Sequence, residues 1–191
     1  MALILDGAGT ITGLQVGGLP DGVVDNDTLA TGTPNAAALP AGSILQVVNT
    51  VKTAPQSFTS DADITDLSLD ITMTSATNRV LVIVSINHIS ISDANGVYFK
   101  LLRGTTVVTE STAGGGTDTN NACLAGGGGG YSANDRQRDD ATLTVLDTPG
   151  TGTHTYKVQG MATGGTGWIN RWALNTDAAT VSSITLMEVA V

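Results

Sequence analysis

Leu67-Ser68-Leu69-Asp70-Ile71-Thr72-Met73 places an apolar side chain at every second position. A period of two belongs to a β-strand, whose side chains point alternately to opposite faces. One face of this segment is apolar and the other polar, the pattern of an antiparallel sheet with one side on a core. The rest of the chain offers little material for helices. Of the 17 acidic residues only Glu110 and Glu188 are Glu, and Lys is limited to Lys52, Lys100 and Lys157, against 29 Thr and 24 Gly. Residues favouring strands and turns dominate. The sequence predicts an all-β protein.

From Ser43 onward, residues 44–52, 67–73, 79–91, 97–103, 105–109, 141–147, 153–162, 168–172 and 181–189 read as successive strands. Val80-Leu81-Val82-Ile83-Val84 is apolar on both faces, which points to a central strand covered by a second sheet or by a neighbouring subunit. Asp93-Ala94-Asn95-Gly96, Arg103-Gly104-Thr105 and Thr148-Pro149-Gly150-Thr151-Gly152 read as turns. About nine or ten strands at short spacing favour an antiparallel two-sheet sandwich of jelly-roll type. Residues 113–139 break the rhythm with glycines at 114–116 and 126–130. They are expected to form a long loop without strands, and hence a variable contact surface.

Residues 1–42 differ in kind. Gly7, Gly9, Gly13, Gly17, Gly18, Gly22, Gly32 and Gly42 punctuate short apolar pieces, and Pro20, Pro34 and Pro40 interrupt any continuous element. Such a segment cannot build its own core. Yet Leu3, Leu5, Ile11, Leu14, Leu19 and Val23 are too apolar for a solvated linker, and ordering them costs about 1 to 2 kcal/mol per residue. They are the candidate anchoring residues of an N-terminal arm preceding a domain of residues 43–191. The arm is expected to lie either over its own domain or within neighbouring subunits or a larger particle.

Eight basic against 17 acidic residues leave a formal charge of −9, with no basic patch for phosphate recognition, so no nucleic-acid partner is expected. No apolar run reaches the roughly 18 residues of a membrane span, and no membrane insertion is expected. Met1-Ala2-Leu3-Ile4-Leu5-Asp6 lacks the basic start of a secretory signal. Cys123 has no partner for a disulfide within one chain, in keeping with assembly in a reducing cytoplasm.

Little in the sequence points to catalysis. The glycine runs are not followed by Gly-Lys-Ser/Thr. Cys123, His88 and His154 fall short of a zinc set. Asp25-Asn26-Asp27, Asp61-Ala62-Asp63, Asp93-Ala94-Asn95 and Asp139-Asp140 could offer oxygen ligands to Ca²⁺, but none matches a twelve-residue EF-hand loop. Asp and Asn are also ordinary turn residues. No Gly-x-Ser-x-Gly elbow is present. No catalytic residue, metal ligand or cofactor is assigned, and the expectation is a protein that binds. Tyr131, after five glycines, reads as the exposed tip of the long loop, and Asn134, Arg136 and Arg138 beside it complete a candidate receptor-contact loop.

The opening Leu3-Ile4-Leu5-Asp6-Gly7-Ala8-Gly9-Thr10-Ile11-Thr12-Gly13-Leu14, followed by Gly17-Gly18-Leu19-Pro20-Asp21-Gly22, resembles the starts of small virion proteins of marine bacteriophages, including cyanophages. Leu101-Leu102-Arg103-Gly104-Thr105, Thr155-Tyr156-Lys157-Val158-Gln159 and the terminal Ile184-Thr185-Leu186-Met187-Glu188-Val189 are similar to the β-rich domain of phage tail-fibre-like and other surface structural proteins. The resemblance spans nearly the whole chain and is weakest over residues 113–139. It implies a homotrimer in the virion, assembled in the host cytoplasm. Residues 1–42 would attach to other virion proteins or trimerise, and the sandwich would project toward a host surface glycan. It carries no catalytic residues to transfer. The alternatives are a capsid decoration (cement) protein and, from another class, a glycan-degrading tail spike enzyme, against which the short chain of 191 residues speaks.

Overall fold

In a computed structural model the chain divides into two units, Met1–Leu39 and Pro40–Val191. The structure describes residues 4–5, 11–12, 39–92, 96–108, 125–127, 139–162, 164–171 and 180–191. In the first unit β1 (Ile4–Leu5) and β2 (Ile11–Thr12) pair antiparallel, with Leu5 opposite Ile11. The other arm candidates, Leu3, Leu14, Leu19 and Val23, lie outside the described residues.

The described part of the second unit is an all-β, two-sheet antiparallel sandwich. Its strands in chain order are β3 (Ile44–Lys52), β4 (Gln56–Phe58), β5 (Ala62–Met73), β6 (Arg79–Ile91), β7 (Val97–Arg103), β8 (Thr106–Val107), β9 (Ala125–Gly127), β10 (Asp139–Asp147), β11 (Gly152–Ala162), β12 (Gly167–Ile169) and β13 (Ser182–Val189). In the first sheet β6 is flanked by β13 on one edge and β10 on the other, with β3 outside β13. Beyond the start of β13, β12 continues along β6 and carries β4 outside it. In the second sheet β11 lies between β5 and β7, and the far edge of β7 takes β8 and then β9.

The core lies between the sheets. Val80, Val82, Val84 and Ile86 of β6 face Tyr156 and Val158 of β11 and Phe99 and Leu101 of β7 within one buried cluster. Each such aliphatic or aromatic side chain contributes about 1.5 to 3 kcal/mol on leaving water. The apolar run 80–84 is thus divided between environments: Val80, Val82 and Val84 are buried, whereas Leu81 and Ile83 point outward and are half-buried.

The strand starting at Leu67 in the sequence reading begins at Ala62 instead. Ile64 and Leu67 are both buried although three residues apart, which a period of two forbids unless the strand is re-phased. A bulge does this. Asp66 takes a φ of 64°, and the register on β11 slips between Lys157 opposite Ser68 and Gln159 opposite Asp63. The same device operates in β6, where Ile86 and Ile89 both face inward around His88 at a φ of 56°.

The expectation that residues 113–139 hold no strand is corrected at two places. Ala125–Gly127 pairs with β7, Phe99 opposite Ala125, and Asp139 already belongs to β10. An edge ladder needs only backbone N–H and C=O, which glycine supplies, whereas side-chain patterning is blind to it. The strand expected at 168–172 stops at Ile169, because Asn170 adopts a φ of 59°. Arg103-Gly104-Thr105 is the tight reversal expected, with Gly104 at a φ of 59°.

Phe58 explains two glycines inside strands. A Cβ on Gly160 of β11 would sit 2.9 Å from Phe58 Cζ and 3.0 Å from Ile64 Cδ1, and one on Gly167 of β12 would sit 2.9 Å from Phe58 Cε2. The ring therefore lies between both sheets, edge-on to Phe99 with centroids 6.0 Å apart. Gly160→Ala is expected to lower stability by about 1 to 3 kcal/mol through overpacking. The check is a lower urea midpoint with an unchanged slope.

Candidate functional site

The sandwich has two unlike ends. At one, β13 finishes and the chain coming from Pro40 is fastened to it: Gly42 N donates to Ala190 O at 2.8 Å and Ala190 N to Ser43 O at 2.9 Å. Short connections gather here, between β5 and β6, β7 and β8, and β10 and β11. Glu188 of β13, fully buried, ties the β5–β6 connection and β3 to β13. Its Oε1 accepts from Thr74 N at 2.8 Å, Thr74 Oγ1 at 2.7 Å and Asn78 Nδ2 at 2.7 Å, and its Oε2 accepts from Gln46 Nε2. Burial opposes ionisation, but the donors together outweigh it and hold the carboxyl below its ordinary value of 4.5.

At the same end Asp147 of β10 ties the first sheet to the second. Its Oδ2 accepts from Arg103 Nη1 at 2.5 Å and from Tyr156 OH at 2.7 Å. Burial first, and the Asp147 carboxylate second, push the Tyr156 phenol well above its ordinary value, so it stays a neutral donor.

The opposite end, where β6 finishes, has another character. The described residues flanking segments 93–95 and 128–138 lie here: Ser92 and Gly96, and Gly127 opposite Val97 with Asp139 opposite Ile89. Tyr131, Asn134, Arg136 and Arg138 all fall within 128–138, outside the described residues. Asn170, fully buried, organises the described part of this end. Its N donates to Asn87 O at 3.1 Å and its Nδ2 to Lys52 O at 2.8 Å, and its Oδ1 accepts from Ser182 Oγ at 2.7 Å. One residue, through its backbone N–H and its side-chain amide, thus joins β6, the end of β3 and the start of β13 to the residue after β12.

Beside Asn170, Trp168 is half-buried on the outer side of β12, with Ser57 and Ser90 opposite it on β4 and β6. The Arg171 guanidinium carbon lies 5.6 Å from the Trp168 ring centroid. An aromatic face, a guanidinium and neighbouring hydroxyls form a platform suited to stacking and hydrogen bonding. Trp168 and Arg171 are not among the candidate contact residues read from the sequence, which gives no sign of the pair. Residues three apart on a regular strand point to opposite faces, and it is the left-handed turn at Asn170 that brings Arg171 back over the ring.

The acidic turns proposed as Ca²⁺ ligands are otherwise engaged where they are described. Asp61 pairs with Lys100 at 3.1 Å, and Asp63 accepts from Lys157 at 2.8 Å and Gln159 at 2.7 Å. Asp139-Asp140 is strand, not turn, and Asp140 Oδ1 accepts from His88 N at 2.8 Å. Asp25, Asp27 and Asp93 lie outside the described residues. Among the described residues no group of three or more His, Cys, Asp or Glu side chains could hold a metal ion.

A carboxylate with a depressed folded pKa stabilises the fold above its unfolded value and loses that contribution as pH falls through the folded one. Glu188 therefore contributes fully above about pH 4.5 and progressively less below. Glu188→Gln, nearly isosteric but uncharged, is expected to be less stable than the parent at pH 7, with the gap narrowing toward pH 3. Urea unfolding at both values checks this. In comparison with known proteins, no family model matches the chain, and no curated protein matches it either.

Proposed function

We propose that this chain is a structural protein of a bacteriophage particle, displayed on the particle surface as a trimeric tail-fibre-like or adhesive module that contacts the host. The observation that carries this reading is the polarity of the sandwich. The chain from Pro40 is fastened by Gly42 and Ala190 at an end of short connections, while the Trp168–Arg171 platform and the flanks of 128–138 lie at the opposite end. A module anchored through residues 1–42 would turn its recognition end away from the particle, with Tyr131, Asn134, Arg136 and Arg138 contributing to host contact. The ligand suited to this end is a host surface glycan, since sugars stack on aromatic faces and hydrogen-bond to hydroxyl and guanidinium groups.

The strand order supports a jelly-roll wiring within this reading. The long strands β3, β5, β6, β7, β10, β11 and β13 alternate between the two sheets, giving β3-β13-β6-β10 against β5-β11-β7-β8. That architecture hosts viral capsid and lectin domains among others, an argument by analogy of fold that leaves the site to decide function.

Deleting residues 1–40 is expected to leave a folded β-domain that is no longer incorporated into particles. Normal incorporation would overturn the anchoring role. Copy number on the particle separates a fibre, present in few copies, from a decoration protein, which follows the capsid lattice. Trp168→Ala is expected to weaken binding of host polysaccharide by about tenfold, the upper range for loss of one aromatic contact, with the melting transition retained. Glycan titration of both proteins measures it.

A further inference from the structure

We propose that the outer face of the first sheet is the surface through which copies of this chain associate. The inference rests on the oligomeric reading above and names the surface that reading requires.

Register brings one apolar row across four strands of this face. Val47 of β3 lies opposite Met187 of β13, Met187 opposite Leu81 of β6, and Leu81 opposite Leu146 of β10. Val47 is 54% exposed and Leu146 46%, high values for large aliphatic side chains. The next row is Asn49, Thr185, Ile83 and Thr144, in which Asn49 Nδ2 donates to Thr185 Oγ1 at 2.8 Å. The third is Val51, Ser183, Ser85 and Thr142. No ionisable side chain occurs in these three rows. Among the described residues charge returns toward the ends of the sheet, with Arg79 opposite Val189 at one and Asp140 and Arg171 at the other.

The chain as a whole is 13% charged, these three rows carry no charge, and depletion of charge marks the centre of an interface. The outer face of the second sheet is the contrast within the same molecule: Asp63, Asp70, Lys100, Lys157 and Gln159 share it, with two of the ion pairs. The neutral face also selects its occupant. In a chain of net charge −9, a contact between copies brings the same negative molecule against itself, and like charges at the seam would repel. A face of aliphatic, hydroxyl and amide groups avoids that cost, and nothing on it would provide charge recognition of a different partner. With strands about 4.8 Å apart and residues about 3.4 Å apart, the four strands from Arg79 to Ser85 offer a plane of about 450 Å². That is broad enough to hold the central part of a standard interface, about 800 Å² of accessible surface per partner.

Light scattering on the full chain tests this. The parent is expected to have a mass of three chains. Val47→Asp combined with Met187→Asp changes side chains outside the core, and is expected to raise the concentration at which the assembly half-dissociates at least a hundredfold while leaving a cooperative melt. Ser68→Asp combined with Thr155→Asp, on the outer face of the second sheet, adds the same charge and is expected to leave the mass unchanged. Leu146→Asp, on a different strand, is expected to repeat the dissociation should the double variant fail to fold. A parent assembly that withstands the face substitutions would overturn the assignment while sparing the oligomeric reading. A parent of single-chain mass would overturn both, and particle incorporation would still decide the virion role separately.

Discussion

Strand β6 cannot move without the rest of its sheet. It is hydrogen-bonded on one edge by β13 and on the other by β10, and its inner face, Val80 through Ile86, is the buried wall on which the second sheet packs. Because side chains alternate, a slip of one residue along either edge would put Leu81 and Ile83 into the core and Val82 and Val84 into solvent. The bulge at His88 then re-phases the strand so that Ile89 still faces inward and β12 can take over the edge that β13 leaves.

Buried polar groups finish what the apolar core leaves undetermined. An apolar interior rewards many similar packings, whereas a buried carboxylate or amide is stable only with its partners in place. Glu188 fixes the β5–β6 turn and β3 against β13, Asp147 fixes β10 against β7 and β11, and Asn170 fixes the junction of β3, β6, β12 and β13. Along the side of the sandwich the Gln56 amide meets the backbone of β5, donating to Asp63 O at 2.9 Å and accepting from Thr65 N at 2.9 Å. Lys52, pushed below its ordinary pKa by burial with Asp66 opposing, donates to Thr65 Oγ1 at 2.7 Å. These contacts cover backbone groups of an edge strand that would otherwise invite pairing.

The sheets differ on their outward sides as they do not on their inward ones. Both inner faces are aliphatic and aromatic, while one outer face carries ion pairs and the other carries none in its central rows. A packing requirement explains the first fact, since any sandwich needs it. It does not determine the second, which follows from the residues that register sets on each outward side.

By itself the sequence determined the all-β class and the extent of the long apolar strands Ile44–Lys52, Arg79–Ile91 and Val97–Arg103. These are local properties, since side-chain periodicity and turn chemistry act over a few neighbouring residues. The short strands at Gln56–Phe58 and Ala125–Gly127 were decided by partners distant in the chain, through backbone ladders that leave no side-chain pattern. The same holds for the candidate sites. Trp168 meets Arg171 only because Asn170, held by Lys52 and Ser182, turns the chain left-handed. The row from Val47 to Leu146 exists only because strand pairing sets four residues from four separate segments side by side. Strand character is written in nearest neighbours, but the surface those strands present is set by register, a long-range property that tertiary structure alone decides.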